Sequence, residues 1–481
     1  MLKTGREHLE SLRDGRVIYI GSERITDVTA HPAFRKTAQT VGMLYDIKAD
    51  PANAGVMSYE EGGERYSTFF LQPRTREDLA RRTRAHKFWS DASYGLFGRS
   101  ADHMASWITA LAMQPEVLQT ALYADNMRRY YDFMRTNDTF LVYAVLPPQA
   151  ARDPDFYARE NIPIPTLRVT GEDDNGVTLN GMKMLATSAV FANEVWIGNV
   201  IPLAPSQTKE AITCAVPIGT PGVTLWSRKS FERDATSLFD NPLSSRFDET
   251  DSMVLFDNVK IPWERVFVHD DPIRSREIYH KSAAHCFGNH QSNVRFLSKL
   301  QLLVGIASKV AQSNNAAEIP AVRETLGRLA AMEANLAGMI AGQSMDYEEL
   351  GNGYVSFNRR YMYAALAWCT DNYGEICSIV RELCGGGVFQ MPADSSVLND
   401  PELRKTFETY WRTPTQSSVQ RMKLFKLAWD LLGSEFGGRH LQYEKFYAGP
   451  AFLVRGYSYR EAPWARFDSI VDALMDQYDV A

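Results

Sequence analysis

The sequence predicts a mainly α-helical protein with a β domain at its centre. Three observations carry this reading. The chain before about residue 147 and after about residue 270 has helical patterning; the stretch between is made of short β-branched runs; and the first change of texture falls at a proline-rich crossing, LPPQAARDPDFY. The expected domains are residues 1–146, helical; 147–270, β; and 271–481, helical. At 481 residues the chain is long enough for roughly three such units.

Taken in order, the first zone opens on a short strand-like piece, RVIYIGSERI, and continues mostly as helix. The middle zone holds TLRVTGEDDNGVTLNGMKML, FANEVWIGNVIP, EAITCAVPIGTPGVTLW and DSMVLFDNVKIP, separated by turn residues. That pattern predicts a β-sandwich or barrel-like domain, with a hairpin at DDNG. In the last zone, Leu297, Leu300, Val304 and Ala307 repeat at three and four, the period of a helix face. The segment RETLGRLAAMEANLAGMIAGQSM has the small-residue texture of a helix packed closely on its neighbours.

Composition narrows the function. Fifty-two basic against 58 acidic side chains leave a net charge of −6 without a basic run, so neither nucleic acid nor an anionic membrane is an expected partner. The charged start, MLKTGREHLESLRDGR, has no apolar signal core, and no stretch reaches the roughly 18 apolar residues that span a bilayer, which predicts a soluble cytoplasmic protein. Five cysteines include no Cys-x-x-Cys; Cys369, Cys377 and Cys384 share one helical stripe and read as core. His280, His285 and His290 step by five, which does not gather them on one helix face, so no metal site is expected.

Neither a Walker loop nor Gly-x-Gly-x-x-Gly after a strand is present, which argues against a nicotinamide-binding domain. Two glycine clusters remain. Gly385, Gly386 and Gly387 either admit a phosphate to the backbone or end a helix. The pair before Arg439 and His440 in GSEFGGRH either faces a pyrophosphate or makes a turn. Thr187 and Ser188, at a strand edge in GMKMLATSAV, either bond a cofactor ring edge or satisfy local backbone. In YGLFGRSADHMAS, Arg99 and His103 place a fixed cation and an ionisable ring inside an apolar region.

Residues 242–267, PLSSRFDETDSMVLFDNVKIPWERVF, resemble the 4-hydroxyphenylacetate 3-monooxygenase family, the oxygenase component of two-component flavin monooxygenases. LESLRDGRVIYIGSERITDVTAHPAFR, SYGLFGRSADH, NGMKMLATSAV, QSNVRFLSKL and LLGSEFGGRHLQYE agree in order and spacing, so the resemblance covers nearly the whole chain. It implies an acyl-CoA dehydrogenase-like fold, a homotetramer, and reduced FAD, ahead of FMN, delivered by diffusion from a separate flavin reductase. It implies that O2 adds to the reduced flavin as a C4a-hydroperoxide that hydroxylates a phenolic ring. Gly385–Gly387 would meet the FAD of a neighbouring subunit, and Thr187 would lie by the reacting edge of the ring.

The same resemblance assigns the phenol site. The family carries Gly-Arg-x-x-Asp-Tyr, with the arginine and tyrosine on the phenol oxygen and a histidine from a later segment as third contact. Arg99 matches the arginine, His103 stands at the tyrosine position, and Tyr143 falls at the histidine position, so the two ring types are exchanged. A halophenol-oxidising branch uses instead a histidine before the long C-terminal helix, where His290 and its neighbours lie. Two other readings stand beside this one. The first is a lyase or dehydrogenase of the same fold, with Glu348 or Glu349 as the acid, although no cysteine precedes Cys214 to build a dehydratase-type cluster. The second is a non-catalytic flavin carrier.

Overall fold

The middle of the chain forms two sheets. The larger has six strands in the order Glu23–Ile25, Val17–Ile20, Val223–Ser227, Asp251–Pro262, Gly176–Thr187 and Arg168–Asp173. The smaller runs Val266–Val268, Thr213–Pro217, Glu194–Ile197 and Leu141–Ala144. This computed structural model describes residues 2–118 and 120–478.

DDNG is a hairpin: Asp173 pairs with Gly176 across two connecting residues, and Asp174 and Asn175 make the turn. Two strands cross the expected zone limits. Val17–Ile20 pairs parallel with Val223–Ser227, so the strand-like opening of the chain joins the middle sheet. Leu141–Ala144, within the stretch expected to be mostly helical, pairs parallel with Glu194–Ile197 and carries Tyr143 into the sheet layer. Four residues are too few to show a period in the sequence.

Helices enclose these sheets. Before them lie Arg35–Ala49, Arg76–Ala92, Ala101–Met113 and Ala121–Asn137; after them come Ala284–Ser313, Pro320–Met345, Arg359–Cys384, Ser418–Leu432, Glu435–Phe446, Ala451–Glu461 and Trp464–Met475. Ala284–Ser313 is the central rod. Leu297, Leu300 and Ala307 are buried along it, together with the polar run Asn289–Asn293 and with Arg295, Ser298 and Lys299. Cys369, Cys377 and Cys384 are buried on Arg359–Cys384, in line with a core stripe.

Pro320–Met345 packs on Ala284–Ser313 and Arg359–Cys384 as expected, but mostly not through its small residues. Only Leu329, Leu336, Ile340, Gln343 and Ser344 are buried, and a Cβ added at Gly327 or Gly338 would meet open space. Most of its small residues therefore face outward in the single chain instead of sealing a helix contact. Among the described residues no helix is long and apolar enough to cross a membrane.

Candidate active site

Arg99 sits in the loop between Arg76–Ala92 and Ala101–Met113, and the loop is fixed before the side chain is placed. Glu249 Oε2 accepts the backbone N–H groups of Gly98, at 2.7 Å, and Arg99, at 3.1 Å. Its other oxygen accepts Arg439 Nη1 at 2.6 Å, so one buried carboxylate ties the loop to the Glu435–Phe446 helix. A Cβ on Gly98 would lie 2.0 Å from the Tyr443 hydroxyl, so no larger residue fits this close approach.

The Arg99 side chain then runs into a shell of neutral groups. Its Nε donates to the Tyr143 hydroxyl at 3.0 Å, Nη2 to the Tyr447 carbonyl at 3.3 Å, and Nη1 to Ser292 Oγ at 3.5 Å. The guanidinium lies 5.1, 5.8 and 5.4 Å from the ring centres of Tyr143, Tyr443 and Tyr447. Arg99 is 7% exposed, and among the described residues no carboxylate forms an ion pair with its side chain. A buried cation without a counter-ion is costly unless an anion joins it.

His103, on Ala101–Met113, lies 5.6 Å from the Tyr143 ring and 6.1 Å from Trp107, centre to centre. Its Nδ1 is 3.1 Å from Gln291 Oε1, whereas its Nε2 is buried and makes no hydrogen bond. Burial and then the Arg99 charge push its pKa well below the ordinary histidine range, which favours the neutral ring. The Tyr143 oxygen accepts from Arg99, which leaves its own proton free for a third group. The hydroxyls of Tyr443 and Tyr447 and the indole nitrogen of Trp107 are likewise buried without a hydrogen bond. Arg99, His103 and Tyr143 are thus brought together from a loop, a helix and a strand.

A second cluster adjoins the first through Glu249. Thr187 ends the Gly176–Thr187 strand and donates to Asp251 at 2.7 Å; Arg439 donates to both oxygens of Asp251, at 3.0 and 2.7 Å. Burial alone would raise the Asp251 pKa, but Arg439 and Arg228 overcome it and hold the carboxyl far below its usual range. Ser188 follows at a left-handed φ of 64°, with Oγ 3.4 Å from Glu249 Oε2.

Register pairs Asp251 with Thr187 and Met253 with Trp226, which places these four on one face of the sheet, with Leu185 at the shift between them. Leu185, at φ 62° beside an irregularity in the ladder, and Trp226 are both about half exposed. An apolar row at this face is bordered by hydroxyl and charged groups.

Most of the remaining expected residues lie apart from these clusters, although the His285 ring lies 5.8 Å from that of Trp107, at the border of the first. Gly385–Gly387 form a turn after Arg359–Cys384; Gly385 (φ 51°) and Gly386 are exposed, while a Cβ on Gly387 would strike Phe425 at 2.5 Å. Gly437 and Gly438 lie inside the Glu435–Phe446 helix and not in a phosphate loop, and a Cβ on Gly437 would meet the Leu431 carbonyl at 2.3 Å. His290 stacks on Phe357, and both its nitrogens are engaged, with Thr83 Oγ1 at 2.9 Å and Gln343 Oε1 at 2.7 Å. These partners lie on Arg76–Ala92 and Pro320–Met345. His280 and His285 instead pack on each other, with ring centres 4.8 Å apart. Glu348 accepts the Arg359 backbone N–H at 2.7 Å, within the helical region.

Sequence reasoning missed Glu249, Gln291, Tyr443 and Tyr447. Arg439, Tyr443 and Tyr447 recur every fourth residue, a helix-face spacing that carries the cation and both rings to one side. Glu249 lies inside the 242–267 segment, where its acidic neighbours hide it.

A family model described as 4-hydroxyphenylacetate 3-hydroxylase N terminal matches residues 4–268, and one described as its C terminal matches residues 275–476. The pyoverdin chromophore biosynthetic protein PvcC of Pseudomonas aeruginosa is 31% identical over 489 residues, covering 100% of this chain and 96% of its own length. The oxygenase component of 4-nitrophenol 2-monooxygenase from a Rhodococcus species is 32% identical over 460 residues, covering 94% of this chain and 87% of its own. A crystal structure of the oxygenase component (HpaB) of 4-hydroxyphenylacetate 3-monooxygenase, complexed with FAD and 4-hydroxyphenylacetate, has a TM-score of 0.92 at 29% identity, covering 99% of this chain and 98% of that one.

Proposed function

The chain belongs to the 4-hydroxyphenylacetate 3-hydroxylase family, and from that premise we propose that Arg99, His103 and Tyr143 hold a phenol for hydroxylation by reduced FAD. The protein is the oxygenase component of a two-component monooxygenase with an acyl-CoA dehydrogenase-like fold. The observation that carries the site reading is the buried Arg99 guanidinium, which has neutral partners only and whose Nε donates to Tyr143, the ring beside His103.

A free phenol has a pKa of about 10, so about one molecule in a thousand is ionised at neutral pH, and the phenolate ring is the stronger nucleophile. Arg99 lowers the energy of the phenolate by its charge. His103 Nε2 accepts the phenolic proton, and Tyr143 donates its free hydroxyl hydrogen to the phenolate oxygen. Reduced flavin, when bound, activates O2 and supplies the oxygen atom. Thr187, Ser188 and the Leu185–Trp226 face are proposed to meet the ring of that flavin, with Arg439 fixing them through Asp251 and Glu249. The exposed Gly385–Gly386 turn is open to a cofactor shared between subunits, and we propose the homotetramer that the family resemblance implies. The two remaining components are a reductase that supplies reduced flavin and a small aromatic substrate, with nitrophenol and hydroxyphenylacetate types the first to assay.

The test supplies reduced FAD, O2 and a phenol panel to the protein and to Arg99→Ala. The wild type should hydroxylate at least one phenol; the variant should lose most of that product while still consuming oxygen. Undiminished coupled hydroxylation in Arg99→Ala would overturn the site assignment.

A further inference from the structure

Four buried side chains from three helices form a chain of hydrogen bonds that ends at His103. His86 Nδ1 lies 2.9 Å from Asp102 Oδ2, and Ser100 donates to Asp102 Oδ1. Gln291 Nε2 donates to that same oxygen at 3.1 Å, and Gln291 Oε1 faces His103 Nδ1 at 3.1 Å. All four are nearly or fully inaccessible to water.

The donors and acceptors leave one consistent assignment. Asp102 gathers donors from His86, Ser100 and Gln291, so the Gln291 amide presents N–H to Asp102 and its carbonyl oxygen to His103. A carbonyl oxygen only accepts, so His103 Nδ1 must carry the ring proton, and Nε2 is then the bare lone pair turned to the unpartnered side. Water favours the opposite tautomer of neutral imidazole. With a proton on Nε2, His103 could not take a proton from a phenol.

We propose that Gln291, held by Asp102, is a positioning residue that locks His103 in the Nδ1–H tautomer so that Nε2 serves as the proton acceptor. This rests on the phenol-site reading given above. When the phenolic O–H breaks, its proton moves to Nε2 and its electron pair stays on the phenolate oxygen beside Arg99. The new imidazolium is stabilised through Gln291 Oε1 and, one bond further, by the Asp102 carboxylate. No oxidant or further reactant takes part in this transfer.

The tautomer can be read directly. In protein labelled with 15N-histidine, the His103 signals, assigned by their loss in His103→Asn, should show a protonated Nδ1 and an unprotonated Nε2. Gln291→Met keeps the bulk but removes both amide groups. It should let the Nε2–H form appear and lower hydroxylation by on the order of 100-fold, the low end of a general base's contribution. Gln291→Glu, protonated between Asp102 and His103, repeats both hydrogen-bond roles and should restore the Nδ1–H signal and most of the rate. An Nε2–H signal in the wild type, or an unchanged rate in Gln291→Met, would overturn the inference. Either result leaves the Arg99 variant as a separate readout, so failure of the phenol-site reading is distinguishable from failure of this one.

Discussion

Replacing Arg99 by Met separates binding chemistry from structure. The guanidinium has no carboxylate partner among the described residues, so its removal strands no buried anion. What is lost is hydrogen bonds to Tyr143, Ser292 and the Tyr447 carbonyl, each worth about 1 kcal/mol net, against relief of an uncompensated buried charge. The melting temperature should therefore move by no more than about 3 °C. The effect on a bound phenolate is far larger. At about 4 Å and an effective dielectric constant of about 20, one unit charge stabilises another by about 4 kcal/mol. That corresponds to a fall of about three pH units in the ionisation midpoint of the bound phenol. A chromogenic phenol such as 4-nitrophenol reports this in the absorbance of its anion, titrated with and without excess protein. The wild type should show a midpoint shifted strongly to acid, and Arg99→Met a midpoint close to that of the free phenol. An equal shift in both proteins, or a collapse in the stability of the variant, would refute the reasoning, because Arg99 would then be a structural residue.

Three further outcomes follow from the same network. Gly98→Ala places a methyl group against the Tyr443 ring and hydroxyl, and should cost about 1–3 kcal/mol in denaturant titration as well as activity. Glu249→Gln breaks the link between the Arg99 loop and Arg439; truncating one member of a buried ion pair costs about 3–5 kcal/mol, so both melting temperature and hydroxylation should fall, unlike in Arg99→Met. Glu444 supplies a pH test. Burial alone would raise its pKa, but Arg295 and Lys299 hold it at about 2, below its ordinary 4.5. A carboxyl depressed in this way contributes stability that is complete above pH 4.5 and is lost as pH falls towards 2. Acid unfolding followed by circular dichroism should be steeper over that window in the wild type than in Glu444→Gln, which should also be less stable at neutral pH.

The sequence carried the architecture further than the site. The DDNG hairpin, the long helix around Leu300 and the cysteine stripe each obey a local rule of turn chemistry or period, and each stands where those rules put it. Leu141–Ala144 escaped because four residues, of which only Val142 is β-branched and Tyr143 aromatic, carry no period. The outward small residues of Pro320–Met345 escaped because such residues report close packing without reporting whether the partner lies in the same chain.

In the site, Arg99 is legible from one segment, SYGLFGRSADH. The exchange of ring types at His103 and Tyr143 comes from the family resemblance, and the structure sets these two side by side with Arg99. Glu249, Gln291 and Tyr443 escaped for a common reason. They meet Arg99 and His103 only through tertiary packing across more than 140 residues of chain, as the Glu249–Arg99 and Gln291–His103 contacts show, and no local pattern encodes a meeting of that kind. His290 shows the converse: a histidine in a plausible segment whose two nitrogens are both engaged by Thr83 and Gln343.

The central claim is that this chain directs oxygen from reduced FAD into a phenol held at Arg99. The most direct measurement mixes anaerobic protein and stoichiometric reduced FAD with O2 in a single turnover, over a panel of phenols, and quantifies hydroxylated product against hydrogen peroxide. The account predicts that with at least one phenol most turnovers yield hydroxylated product, one oxygen atom entering the ring and the other leaving as water, and that Arg99→Met diverts turnover to peroxide. Peroxide alone with every phenol, or the same product yield in both proteins, would contradict it.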